Sequence, residues 1–148
     1  MSRHTHRRTE QGSALVELTW LGLLLLVPLL WIVLSVFEVQ RGAFAVSGAA
    51  RAAGRAYALA PSDAVGQTRA QAAASQVLVD HGVGDQPLGL VVTCAPAGDC
   101  HAPGAVITVD LRSRVDLPLL PDVLGGRAPS FALNASHTVP IGQFRDTE

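Results

Sequence analysis

Charge is scarce in this chain, and that scarcity narrows the classes of function open to it. Only 16% of its 148 residues are charged, and the formal net charge is -1. A nucleic-acid-binding domain carries a basic patch interleaved with aromatic residues, and no stretch of this sequence has that composition. We therefore expect no nucleic-acid partner.

Catalytic and cofactor-binding motifs are also missing from the sequence. It contains no Gly-x-Ser-x-Gly, no His-Glu-x-x-His, no phosphate-binding glycine loop and no evident pair of carboxylates. Its five histidines are scattered, and none has a sequence neighbour that suggests catalysis. The sequence predicts a protein that is not an enzyme, with no catalytic residue, no metal ligand and no cofactor.

What the sequence has in excess is one long apolar run. Residues 13–37 read SALVELTWLGLLLLVPLLWIVLSVF and contain a single charge, Glu17. A helix of this length extends about 37 Å, enough to cross a hydrocarbon core of about 30 Å. A helix of a soluble core would keep a polar face, and this run has none. It is predicted to span a membrane, and a charge inside such a segment usually marks a function.

The flanks of the apolar run predict its orientation. Arg3, Arg7 and Arg8 precede it, so the positive-inside rule places the N-terminus in the cytoplasm and the following domain outside the cell membrane. The alternative is a secretory signal peptide cut after Ala45, within the small-x-small sequence AFA. The run is about twice as long as the usual 7–15 residues of a signal segment, and polar residues separate it from that site.

The helix is expected to continue beyond the membrane, over residues 38–60. Apolar residues there recur at alternating spacings of three and four, which is a helical stripe. Its members are Val39, Ala43, Val46, Ala50, Ala53 and Tyr57. The pattern left two interpretations open: a flexible, alanine-rich helix, or a helix that packs against neighbouring copies through its small residues.

The remainder, residues 61–148, predicts a small α+β domain. A second helix is expected over residues 62–81, with apolar positions that include Val65, Ala72, Leu78 and Val79. Stretches rich in β-branched residues at 88–94, 105–117 and 130–139 predict an antiparallel sheet of about three strands. The second stretch alternates in character, so one face of the sheet should be packed and the other solvated.

Two cysteines enclose a turn-forming stretch between two of the predicted strands. If the domain lies outside the cytoplasm, a disulfide between Cys94 and Cys100 is the favoured interpretation. So short a loop contributes about 2 kcal/mol in the chain-entropy model. A metal site built from both thiolates and His101 is the alternative, but it lacks a fourth ligand and its spacing is not that of a zinc site.

The start of the chain resembles a known leader. Gly12 ends a polar, basic leader (residues 1–12), the apolar run begins at Ser13, and Glu17 is the fifth residue after the glycine. This looks like a type IV prepilin leader. Within that superfamily the chain most resembles the TadE/TadG-like pseudopilins of the tight adherence (Tad, Flp) pilus system. The motif GSALVEL is typical of these proteins, as are an alanine- and arginine-rich helix after the membrane segment and a small β-rich exported domain.

The resemblance implies a structural role and a processing step. A prepilin peptidase would cut between Gly12 and Ser13 and leave 148 - 12 = 136 residues. The mature protein would be a minor pilin or pseudopilin that meets other pilins and the assembly platform of the inner membrane. The new ammonium at Ser13 would lie one helical turn from Glu17, on the same face, and would provide its counter-charge. The alternative function is an uncleaved single-pass anchor or adaptor whose exported domain binds a partner.

Overall fold

The computed structural model describes residues 10–85, 87–116 and 130–143, with side chains from Ala14 onward. Two helices and then three strands follow one another along the chain. They are α1 Glu10–Ala58, α2 Asp63–Asp80, β1 Gly89–Ala95, β2 Val106–Asp116 and β3 Ser130–Pro140. This confirms the predicted α+β class and the predicted order of elements. The first nine residues of the predicted leader, and the last residue of the second predicted strand, lie outside the described residues.

The chain divides into two units, one ending at Val36 and one beginning at Phe37, and α1 contributes to both. In the first unit α1 passes through Pro28, and every leucine from Leu15 to Leu34 is more than a third exposed. The most apolar stretch of α1 has a mean hydropathy of 2.5 and none of it is buried. Among the described residues, α1 is the one helix long and apolar enough to cross a membrane.

The second unit is built on an antiparallel sheet in the order β1-β2-β3. The central strand pairs with both neighbours; Val109, for example, lies opposite Val92 of β1 and His137 of β3. Side chains of β2 alternate between buried and more exposed positions, as the sequence predicts. The buried set is Ile107, Val109, Leu111, Ser113 and Val115.

Small residues bring the second part of α1 very close to the sheet. A Cβ atom added to Gly42 would lie 2.7 Å from Leu133 Cδ1, and one added to Gly54 would lie 2.9 Å from Val139 Cγ2. Real carbon contacts are about 3.5–4.0 Å, so a side chain at either position would force side chains of the sheet to shift. The sequence left two interpretations of this helix, and the structure shows a third: α1 packs on the sheet of its own chain.

The predicted stripe on α1 is largely correct. Val46, Ala50, Ala53 and Tyr57 are buried and Val39 is partly buried, whereas Ala43 is exposed. Ala45 and Ala49, which the stripe omitted, are both 0% exposed. The buried surface of α1 is therefore wider than the predicted stripe, because α2 and the sheet contact different sides of this helix.

Helix α2 also buries small residues. Its buried positions are spaced four apart and comprise Gly66, Ala70, Ala74 and Leu78. A Cβ atom on Gly66 would lie 3.1 Å from the ring of Tyr57 on α1, so the two helices approach closely at this point. The helix ends at Asp80, one residue before the predicted end, and Gly82 follows with a φ of 71°, which suits glycine. The next amide, Val83 N–H, donates to Leu78 O at 2.9 Å and caps the last turn.

Candidate functional site

The predicted processing bond lies at the beginning of α1. Gly12 and Ser13 belong to the first turn of the helix, which begins at Glu10. The first four amides of a helix have no acceptor within it, so this turn is the one that a protease opens at least cost.

Glu17 follows one turn later and stands among exposed apolar side chains. It is itself exposed, and it makes no hydrogen bond or ion pair with any side chain that the structure describes. In a membrane such a carboxylate needs a partner, because an unpaired charge there costs several kcal/mol. A free amine at Ser13 would be a fitting partner, since residues four apart on a helix share a face.

The predicted site residues do not form one site. Gly12, Ser13 and Glu17 belong to the first unit, whereas Cys94 and Cys100 belong to the second. The chemistry predicted at the start of the chain and the covalent link predicted in the exported domain are therefore separate features.

The two cysteines are joined by a disulfide, as predicted, with their Cα atoms 5.4 Å apart. The bond closes the loop that leaves β1, and Cys100 is buried while Cys94 packs against the core. A disulfide uses both thiols, so the alternative of a metal site made of Cys94, Cys100 and His101 is wrong.

A polar cluster that sequence reasoning missed lies at the end of this loop. Nδ1 of His101 lies 2.8 Å from Oδ1 of Asp63, and Nε2 lies 3.0 Å from the backbone oxygen of Tyr57. The imidazole stacks on the Tyr57 ring, with centroids 5.4 Å apart and an angle of 10° between the planes. The Asp99 carboxylate accepts a hydrogen bond of 2.8 Å from the backbone N–H of His101. The loop is thus held against the end of α1 and the start of α2.

The arrangement of this cluster decides what it can do chemically. Side-chain ligand atoms of Asp63, Asp99 and His101 lie within 4.8 Å of one another, a spacing that a metal ion could bridge. Both ring nitrogens of His101 also lie against oxygen atoms, and a neutral ring can donate from only one of them. In this arrangement the cluster ties the loop to the two helices.

Tyr57 lies at the centre of the cluster and is only 4% exposed. Burial, followed by the negative charges and hydrogen bonding of Asp63 and the charge of Asp99, raises the pKa of Tyr57 above its ordinary 10.0. The phenol therefore remains neutral in the folded protein over the physiological range of pH.

Comparison of the chain with protein-family models, with curated proteins and with solved structures gave no match. The resemblance to TadE/TadG-like pseudopilins accordingly rests on the leader motif and on the order of the structural elements. Function has to be inferred from those residues and from the geometry described above.

Proposed function

We propose that the chain is a minor pilin or pseudopilin of a Tad-type type IV pilus or a related secretion apparatus, incorporated after cleavage following Gly12. The observation that carries the proposal is the unbroken helix α1, which links Gly12 and Glu17 to the folded unit that begins at Phe37. An apolar helix that continues into the packing helix of a small α+β domain is the architecture the resemblance implies. The partners would be a prepilin peptidase, other pilins and the inner-membrane assembly platform.

The features of the second unit support its placement outside the cytoplasm. Disulfides persist in oxidising compartments and are rare in the cytosol, and Cys94 and Cys100 are bonded. The arginines before the apolar run favour a cytoplasmic N-terminus. Together they favour a single-pass protein of the inner membrane with an exported C-terminal domain.

The packing of α1 favours cleavage after Gly12 over cleavage by signal peptidase after Ala45. Ala45 is 0% exposed and Val46 is 2% exposed, both within α1. Removal of the chain up to Ala45 would also remove Gly42, which lies against Leu133 of the sheet. Cleavage after Gly12 leaves the whole second unit in place.

Sequencing of the N-terminus in cells that contain prepilin peptidase tests this proposal. We expect the mature chain to begin at Ser13, and Gly12→Asp to leave a precursor that is 12 residues longer on a gel. The matched control is Gly22→Ala in the same helix, where an added Cβ meets no atom within 4 Å and processing should be normal. A wild-type chain that still begins at Met1 would indicate an uncleaved anchor and would refute the proposal.

Glu17→Gln tests the role of the carboxylate in assembly. We expect the variant to insert and to be cleaved normally but to be lost from the assembled structure, because a neutral amide has no negative charge to balance an ammonium group. Glu38→Gln is the matched control on the same helix. Glu38 forms a solvent-accessible pair with Arg41 at 2.6 Å, and such a pair contributes about 0–1 kcal/mol. Incorporation of both variants at the wild-type level would contradict a role for Glu17.

A further inference from the structure

We propose that a groove between α1 and β3 binds a phosphate group, held by the guanidinium groups of Arg51 and Arg55 and by an N–H group of His137. The groove has a volume of about 460 Å³ and is lined by these three residues and Gly48. All four belong to the second unit, so the proposal does not depend on the proposed function of the chain.

Arg51 and Arg55 stand on one face of α1. They are four residues apart, which places them on the same side of the helix, and both are exposed. Two positive charges at this spacing repel each other and destabilise a helix. Among the described residues, no carboxylate lies within ion-pair distance of either guanidinium group. An anion bound in the groove would offset the repulsion between the two arginines.

The two guanidinium groups keep most of their hydrogen-bond donors for a ligand. Nε of Arg51 donates to the backbone oxygen of Ser47 at 3.3 Å, and one Nη donates to Ser47 Oγ at 3.1 Å. These bonds hold the side chain along the helix and use two of the five N–H groups of a guanidinium. The Arg55 side chain donates to no group in the part of the chain that the structure describes. Because arginine does not lose its proton in proteins, these donors are present at any ordinary pH.

His137 borders the groove on the side of the sheet. It lies on β3 opposite Val109 of β2, and it is partly buried. A Cβ atom added to Gly54 would lie 3.2 Å from His137 Cδ2, so the missing side chain at Gly54 lets the ring lie beside the next residue, Arg55. An imidazole carries at least one N–H group whether it is neutral or charged. No described residue forms a hydrogen bond with the His137 side chain, so this donor is available to a ligand.

The number and charge of these donors favour a phosphate group over a carboxylate. A phosphate monoester carries a charge of about -1.5 to -2 at pH 7 and three strongly accepting oxygens, which matches two guanidinium groups and one imidazole N–H. A carboxylate has one charge and two oxygens. A water molecule occupies about 30 Å³ in the liquid, so the groove has room for a phosphate group and several waters. Free phosphate and the headgroup of a phospholipid both supply this chemistry.

Nitrogen-15 NMR of the full chain in non-ionic detergent micelles tests the proposal. Inorganic phosphate and acetate would be titrated separately at about pH 7 and at constant ionic strength, because salt screens exposed charges. We expect phosphate to shift the Nε–H signals of Arg51 and Arg55 in a saturable manner. One charge-assisted hydrogen bond changes an affinity by about tenfold or more, so acetate should bind at least about tenfold more weakly.

A third titration, with short-chain phosphatidylglycerol added to the micelles, distinguishes the two sources of phosphate. Saturation at a lower concentration of the lipid than of free phosphate would identify a headgroup as the ligand. The reverse order would identify a soluble phosphate. Absence of a saturable shift with both compounds, or a site that acetate fills as tightly as phosphate, would overturn the proposal.

Two arginine variants show whether the groove itself binds the anion. Arg55→Gln should weaken phosphate binding by about tenfold, and glutamine has nearly the same helix propensity as arginine. The matched control is Arg69→Gln, which removes the same charge from an exposed position of α2 outside the lining of the groove and should keep the wild-type affinity. Equal affinity in the wild type and Arg55→Gln would refute the proposal, and the titration of the wild type needs no variant to fold.

Discussion

Replacement of Gly42 by alanine tests whether α1 lies as close to the sheet as the structure places it. The added Cβ would lie 2.5 Å from Val115 Cγ2 and 2.7 Å from Leu133 Cδ1. Each contact is about 1 Å shorter than an ordinary carbon contact. Leu133 can rotate its terminal methyl away, but Val115 is β-branched and stiff at χ1, and it is held in β2 opposite Phe131.

Two opposing terms set the magnitude. Alanine in place of glycine stabilises a helix by about 1 kcal/mol, whereas overpacking of a close-packed core costs about 1–3 kcal/mol. The stiffness of Val115 places the cost near the upper end, so Gly42→Ala should lower the free energy of unfolding by about 2 kcal/mol. At Gly48 the nearest atom to an added Cβ is Val77 Cγ1 at 3.5 Å. That is ordinary contact, so Gly48→Ala should raise the free energy of unfolding by about 1 kcal/mol.

Thermal unfolding of the full chain in detergent micelles, followed by far-ultraviolet circular dichroism, measures this difference. For a domain of this size a change of 1 kcal/mol shifts Tm by about 4 °C. We expect Gly42→Ala to melt about 8 °C below the wild type and Gly48→Ala about 4 °C above it. If both variants were stabilised equally, the close approach of α1 to Leu133 and Val115 would be wrong.

Two further predictions concern Tyr57 and the disulfide between Cys94 and Cys100. Tyr57 is the chain's one tyrosine, so phenolate absorbance reports the ionisation of this residue alone. Because its pKa is raised, the Tyr57 phenol should lose its proton at a higher pH in the native chain than in the unfolded chain. Between the native and unfolded pKa values of Tyr57 the native state holds more protons, so the free energy of unfolding should fall as the pH rises above about 10. The Tyr57→Phe variant should lose this pH dependence. Identical titration curves for the native and the unfolded chain would contradict the prediction. Replacement of Cys94 and Cys100 by serine should lower the free energy of unfolding by about 2 kcal/mol, measured by urea unfolding, and an unchanged midpoint would show that the link adds no stability.

Much of the fold could be predicted because the patterns that produce it are local. A strand alternates with a period of two residues, so the residues around Val109 showed which face of β2 would be buried before any neighbour was known. The apolar run needed only its length and its lack of a polar face. The disulfide between Cys94 and Cys100 could be predicted because only a short turn-forming stretch separates the cysteines and the domain was expected outside the cytoplasm. The structure places Cys100 within the loop after β1, since the residue opposite Cys94 on β2 is Ile107.

The packing of α2 shows where this reasoning fails. The prediction placed Val65 and Val79 on its apolar face, but they are 37% and 58% exposed, while Gly66, Ala70 and Ala74 are buried. At Gly66 the helix lies so close to α1 that an added Cβ would be 3.1 Å from the ring of Tyr57. Hydrophobicity ranks valine above alanine and glycine for burial, and the available space reversed that order here.

By itself, the sequence determined the order of the elements, the apolar helix and the spacing from Gly12 to Glu17, since each depends on residues that are near one another along the chain. Only the tertiary structure decided what covers α1, and that His101 meets Tyr57 and Asp63. Those contacts join residues 44 and 38 positions apart, and no local pattern specifies which distant partner a side chain will reach. They form because the sheet, α1 and α2 pack through small residues, which brings the disulfide loop to the point where the two helices meet.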